Sequence, residues 1–261
     1  MVRVGLLPFR LLALRHGADL VYTEEIIDKK LLNAKRVVNQ KLGTIDFVNK
    51  NDNSIVLRIA EEEKEFIVCQ IGSSNPATAL KAAKIIENDV ESIDVNMGCP
   101  EHFSVHAGMG SGLLKRPKTA RSILEELTKN VSVPISCKVR LLPKLKDSLN
   151  FMKLMQSAGI HQIGVHSRTR EEMSRGFAHW STILEAKQDP ELTIPVLASG
   201  DCFSVKDAFE LRRYTQCDGI LIARGACHNP YIFNDIKSKW DEVAREFNET
   251  QTVSELYDEH K

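Results

Sequence analysis

The sequence predicts an α/β protein folded as a parallel barrel of the TIM (β/α)8 type. Three observations predict it. β-rich runs alternate with amphipathic helical stretches, the pattern of a parallel sheet assembled from βα units. The 261 residues fit one such domain, which typically needs about 250. A cysteine, Cys99, stands just past a predicted strand and ahead of a glycine-spaced loop, where such barrels place a reacting group.

In chain order, strands are expected near residues 20–24, 66–71, 93–96, 135–139, 162–166, 195–198 and 219–222. Seven is one fewer than a closed barrel requires. Between the first two, residues 44–48 and 54–59 read as a hairpin joined by Asn49-Lys50-Asn51-Asp52-Asn53, an excursion from the barrel. Helices fall between the strands. Residues 77–86 are alanine-rich, and 119–127 carry Ile123, Leu124 and Leu127 at helical spacing. Phe233, Ile236, Trp240, Val243 and Phe247 recur three or four residues apart as an apolar stripe. Thr252-Val253-Ser254-Glu255 then reads as a capping box opening a further helix.

Composition narrows the classes. A hydrophobic content of 43% supports a large core. The 35 basic and 35 acidic residues cancel, so no global charge marks a nucleic-acid binder. A metabolic enzyme with a small substrate is one reading; patchy basic residues keep a second open. Six cysteines without C-x-x-C pairs argue against a zinc site or disulfide framework and for a reducing compartment. No run approaches the ~20 apolar residues of a membrane span. The opening segment lacks the long apolar stretch of a signal peptide, and Pro8 argues against a targeting helix there.

The chemistry concentrates in residues 94–112. Pro100 biases Cys99 away from helix, and Gly108, Gly110 and Gly112 follow. Lys138 and His166 each close an apolar strand, and Gln70 sits near the end of another. Ser199-Gly200-Asp201 and Ala223-Arg224-Gly225 follow the last two strands. Loops at those positions commonly bind a phosphate through backbone N–H groups, and Arg224 adds a charged fork. No Walker motif is present, and the 108–112 glycines lack the spacing of a dinucleotide fold.

These residues recur in an order that resembles the tRNA-dihydrouridine synthases. The ordered matches are Asn96-Met97-Gly98-Cys99-Pro100, Gly108-Met109-Gly110, Cys137-Lys138-Val139-Arg140, Val165-His166-Ser167-Arg168, Ala198-Ser199-Gly200-Asp201 and Ala223-Arg224-Gly225-Ala226. Met1-Val2-Arg3-Val4-Gly5 and Tyr22-Thr23-Glu24-Glu25-Ile26-Ile27-Asp28 look most like the eukaryotic subgroup acting at position 20. The resemblance implies a flavin barrel, with FMN as cofactor and NADPH or NADH as electron donor, reducing uridine in tRNA. It casts Cys99 as the proton donor. Met1, Gln70, Lys138, His166, Ser199, Gly200, Asp201, Ala223 and Arg224 are cast as cofactor contacts. Asn96, His106, Arg168 and Arg170 are candidates for contact with the RNA.

The resemblance also sets expectations for the ends. The missing strand is the first, with Met1 aligned just past it. Residues 1–232 are expected to form the barrel, and 233–261 to begin a helical tRNA-binding region that stops short. Against the family's pattern, His106 stands where a basic residue is usual, Ala107 replaces a common glycine, and Ser199 replaces an asparagine. A cytoplasmic monomer without a metal is expected. Two alternatives stay open: a flavin barrel reducing a free pyrimidine, as dihydropyrimidine and dihydroorotate dehydrogenases do, and an inactive paralogue short of one strand.

Overall fold

The structure is a computed structural model that describes residues 4–250, with side chains through residue 245. The chain opens with helix α1 (Leu7–Arg15), then strands β1 (Val21–Tyr22) and β2 (Ile26–Ile27) and helix α2 (Asp28–Leu32). An antiparallel meander follows: β3 (Ala34–Asn39), β4 (Thr44–Asn49) and β5 (Ile55–Ala60). The barrel run continues with β6 (Ile67–Gly72), α3 (Pro76–Ile86), β7 (Ser92–Met97), α4 (His102–His106), α5 (Pro117–Asn130), β8 (Ile135–Leu141), α6 (Leu145–Gln156), β9 (Gln162–Thr169), α7 (Trp180–Gln188), β10 (Val196–Ser199), α8 (Val205–Thr215), β11 (Gly219–Ile220), α9 (Arg224–His228) and α10 (Ile232–Thr250).

The main sheet is parallel, in the order β1-β6-β7-β8-β9-β10-β11. β2 prolongs β1 along the same neighbour: Val21 pairs with Ile67 and Ile26 with Ile71. These are the seven strand positions read from the sequence. No pairing joins β11 to β1 among the described residues, so the curled sheet is an open barrel. β6 is buried at every position, as expected of a parallel strand covered on both faces. α3 and α5 add Ala79, Ala82, Ala83, Ile86, Ile123, Leu124 and Leu127 to the same core, all with no exposed surface.

At the open side, α1 meets the start of α10. His16 stacks on Tyr231 with ring centroids 3.8 Å apart, and Lys237 pairs with Asp19 at 2.6 Å. Pro8 does not prevent α1 from forming. It lies in the first turn, where the missing N–H has no intrahelical partner to lose. Arg10 anchors this helix through a buried ion pair to Glu63 at 2.7 Å and bonds to the carbonyls of Gly5 and Arg58.

The expected hairpin is present but has a third strand. β3 pairs with β4 from Ala34↔Asn49 to Asn39↔Thr44. Its charged Lys35 and Arg36 and its exposed Val37 and Val38 mask the usual alternation. The apolar stripe of α10 packs as predicted, with Phe233, Ile236 and Trp240 on the core and Trp240 5.1 Å from the Phe209 ring. Phe247 and the 252–255 capping box lie outside the described side chains. Among the described residues no helix is long and apolar enough to cross a membrane.

Candidate active site

The C-terminal ends of the strands surround a cleft of about 720 Å³. Ten of the predicted site residues line it: Gln70, Asn96, Cys99, Lys138, His166, Ser199, Gly200, Asp201, Ala223 and Arg224. A smaller hollow of about 510 Å³, lined by Glu61, Glu62, Glu65 and Glu91, lies at the other ends of β6 and β7, away from this chemistry.

Register explains the convergence. Gln70 on β6 is level with Asp94, Asn96 on β7 with Lys138, and His166 on β9 with Ser199. Parallel strands in this register deliver side chains from successive ends into one space. Gly164 leaves room for the lysine, since a Cβ there would lie 3.2 Å from Lys138 Cγ.

Asn96 builds the cysteine turn. Its Oδ1 accepts from the N–H groups of Gly98 and Cys99, both at 2.9 Å, the side-chain-to-backbone bonding typical of asparagine turns. Its Nδ2 donates to Gln70 Oε1 at 3.0 Å. The Cys99 carbonyl accepts from Ser111 N–H at 2.9 Å. Arg140 braces the turn from β8, donating from Nε to the Gly98 carbonyl at 2.9 Å and from Nη1 to the carbonyls of Thr169 and Met173. The expected glycine loop is instead α4 followed by a 3₁₀ turn over Gly110–Lys115. Gly110 adopts φ +53°, and a Cβ there would sit 2.5 Å from Ser104 Oγ and 2.9 Å from Cys99 Cβ.

Behind the turn lies a buried polar chain. Asp94 accepts from Gln70 Nε2 at 2.8 Å and Ser136 Oγ at 2.7 Å. Burial raises its carboxyl to about 6, against the lowering effect of those bonds and of Lys138. Burial lowers the Lys138 ammonium to about 8, with Asp94 opposing and Arg140 adding to the shift. Both groups are therefore charged at neutral pH. Burial, then the cationic Lys138, Arg140, Arg168 and Arg224, press His166 down to about 2, so its imidazole is neutral. Burial first, and Glu25 second, push the Cys99 thiol up, so it holds its proton at neutral pH.

Two glycines in the lining of the cleft are packed too closely to carry a side chain. Gly200 has φ +138°, and a Cβ there would meet Ala178 at 2.9 Å. A Cβ on Gly225 would lie 2.3 Å from the Cys202 carbonyl oxygen. Arg224 is exposed beside them, 3.1 Å from Asp201 and over the Phe203 ring. The exposed Arg224 guanidinium, beside two turns that carry no side chain, fits a phosphate group.

Three predicted RNA contacts are placed differently. Arg168 is a correction: it is 1% exposed, its guanidinium held by Asp201 at 2.6 Å and by the carbonyls of Arg175 and Gly176. An outside phosphate does not reach it; the side chain orders the 199–201 loop. Arg170 is half-buried and His106 is exposed, stacked on His102, and neither lines the cleft. Met1 lies outside the described residues. Sequence reasoning assigned no role to Asp94, Arg140 or Glu25, although each stands within or beside a motif quoted above.

Comparison with known proteins places this geometry. The dihydrouridine synthase (Dus) family matches over residues 1–261. The chain belongs to the dihydrouridine synthase family. It is 42% identical over 243 residues to the tRNA-dihydrouridine(20) synthase (NAD(P)+) of Schizosaccharomyces pombe, covering 89% of this chain and 50% of that protein. The enzyme of the same name from Saccharomyces cerevisiae is 47% identical over 185 residues, covering 67% of this chain and 48% of that one. The chain thus spans about half the length of these relatives. Among solved structures, a DHODH of Eimeria tenella in complex with ferulenol is similar in fold, with a TM-score of 0.59 and 11% identity over 91% of this chain and 78% of that one. In this family member no three His, Cys, Asp or Glu side chains are grouped to hold a metal among the described residues.

Proposed function

We propose that this chain is the catalytic part of a flavin-dependent enzyme that reduces uridine to 5,6-dihydrouridine in tRNA, at position 20, with NADPH or NADH as electron donor. The observation that carries the reading is Cys99. It is a protonated thiol on a braced turn, facing a cleft that also collects Gln70, Lys138 and His166. The names of the two yeast relatives support the substrate and the position.

The single glycine cradle at Gly200 and Gly225, with Arg224, favours a cofactor with one phosphate, FMN. Bound in the cleft, a reduced flavin supplies the hydride for C6 of uracil. Lys138 presents a positive charge that favours an anionic ring, and neutral His166 offers one N–H without adding charge. Gln70, its amide orientation fixed by Asp94 and Asn96, keeps one N–H for the ring edge. Cys99 gives its proton to C5, completing the reduction. The target base must leave its stack to reach this cleft.

The proposal includes residues 233–261 as the start of a helical tRNA-binding region beyond the barrel at 1–232. It also includes a monomer in the cytoplasm; six free cysteines support a reducing compartment. Cys99→Ala tests the core of the reading in the full-length protein. It should retain FMN and its reduction by NADPH, while dihydrouridine formation in transcribed tRNA falls about 10²–10⁴-fold. Parent-rate product from the variant removes Cys99 from the mechanism. Reduction of free uracil or orotate in preference to tRNA replaces the substrate.

A further inference from the structure

Glu25 stands directly before β2, in the short segment that joins it to β1, and lines the same cleft as Cys99. Both of its carboxyl oxygens are buried, and neither has a partner at hydrogen-bond geometry. Leaving a carboxyl so is costly, because burial without compensating bonds penalises the charged form. The Cys99 thiol and the Ser104 hydroxyl both lie close enough to act on it, each opposing the effect of burial. Ser104 Oγ is itself buried and unpartnered. A carboxyl, a thiol and a hydroxyl from two distant segments therefore lie close together, and Glu25 and Cys99 both line the cleft.

Two glycines make that meeting possible. A Cβ on Gly72 would lie 2.5 Å from Glu25 Oε1, so any side chain on β6 there displaces the carboxyl. A Cβ on Gly110 would strike both Ser104 Oγ and Cys99 Cβ. The backbone is thinned on both sides of the pair. Other charges near the sulfur come from Arg140 on β8, which braces the turn beneath it.

We propose that Glu25 is a positioning residue that acts through Cys99, holding a proton on its carboxyl and passing it to the Cys99 sulfur after that sulfur has given its own proton to the substrate. The proposal rests on the reading of Cys99 as the acid. The step is balanced: an S–H bond breaks as C5 takes a proton, then the Glu25 O–H bond breaks and a new S–H bond forms. Glu25 is left as a carboxylate and regains its proton from water entering the open cleft. No electrons change hands. Burial raises the Glu25 carboxyl, with Cys99 and Ser104 opposing, and also raises the thiol. A carboxyl remains the stronger acid of the two, so the transfer to a thiolate runs downhill. When Glu25 is ionised, its charge disfavours a thiolate beside it, which keeps Cys99 as an acid.

The test uses Glu25→Gln and Glu25→Asp in the full-length protein. The first readout is the rate of Cys99 alkylation by iodoacetamide against pH, with Cys99→Ala as the background. On the alkaline limb, where Glu25 has itself given up its proton, Glu25→Gln removes the neighbouring charge, so the profile shifts to lower pH and alkylation there rises about tenfold. The second readout separates turnovers. Enzyme with pre-reduced flavin makes its first dihydrouridine at close to the parent rate in Glu25→Gln, because Cys99 still carries its proton. Steady-state formation with NADPH falls at least tenfold, while flavin reduction is unchanged, and Glu25→Asp recovers part of the loss. An unshifted alkylation profile overturns the proposal. So does a first turnover slowed as much as later ones, which marks a structural role. A Cys99→Ala variant with parent activity overturns the reading of Cys99 instead, so the two failures are distinct.

Discussion

Asn96→Ala removes the device that aims Cys99, and its cost follows from the bonds it breaks. Asn96 Oδ1 accepts from two backbone N–H groups, and Nδ2 donates to Gln70, all within 2.9–3.0 Å. Each such bond contributes about 0.5–1.5 kcal/mol net, and the two N–H groups are left half-buried without a partner. A loss of about 2–3 kcal/mol is expected, which for a chain of this size lowers Tm by about 4–12 °C. Asn96→Asp keeps the acceptor for both N–H groups but sets a carboxylate oxygen against Gln70 Oε1, so the Gln70 amide must turn over and give up its bond to Asp94; it should cost about 1–2 kcal/mol. Urea unfolding of the flavin-loaded protein measures the order parent, Asp, Ala. Dihydrouridine formation should fall about 10²-fold in the alanine variant, the usual cost of a displaced reacting group. An alanine variant within 0.5 kcal/mol of the parent by the same titration, or an aspartate variant worse than alanine, refutes the argument that this side chain supports the turn.

Other outcomes follow from the same geometry. Arg224→Ala should weaken FMN binding by about 1.5–3 kcal/mol, read by flavin fluorescence, while leaving the fold intact because the side chain is exposed. Gly225→Ala should displace the Cys202 backbone and cost about 1–3 kcal/mol in stability together with most of the bound flavin; a fully yellow variant refutes the cradle. Lys138 is a base held down at about 8, so its charge is present below that pH and lost above it. Affinity for reduced, anionic flavin should therefore decline as pH rises through about 8, and Lys138→Met should abolish that limb. Asp94 should add an inflection near 6 on the acid side, and His166, neutral down to about 2, should add none.

The alternation of strands and helices, and the strand ends that carry chemistry, are legible along the chain. Both are local signals: a β-rich apolar run bounded by turns marks its own limits, and Cys99 between Gly98 and Pro100 marks its own turn. Apolar patterning failed where pairing, not burial, stabilises a strand. β3 is exposed along Lys35, Arg36, Val37 and Val38, and only its register with β4 makes it a strand. Sequence also misjudged Arg168, because a charge past a strand end reads as surface until Asp201, far along the chain, is seen to claim it. What surrounds the thiol depends on the packing of distant strands. Asn96 is local to Cys99, but Arg140 and Glu25 reach it only because β7, β8 and the segment joining β1 to β2 meet at the same end of a parallel sheet. The proton chemistry of this site is therefore set by neighbours that no spacing along the chain brings together.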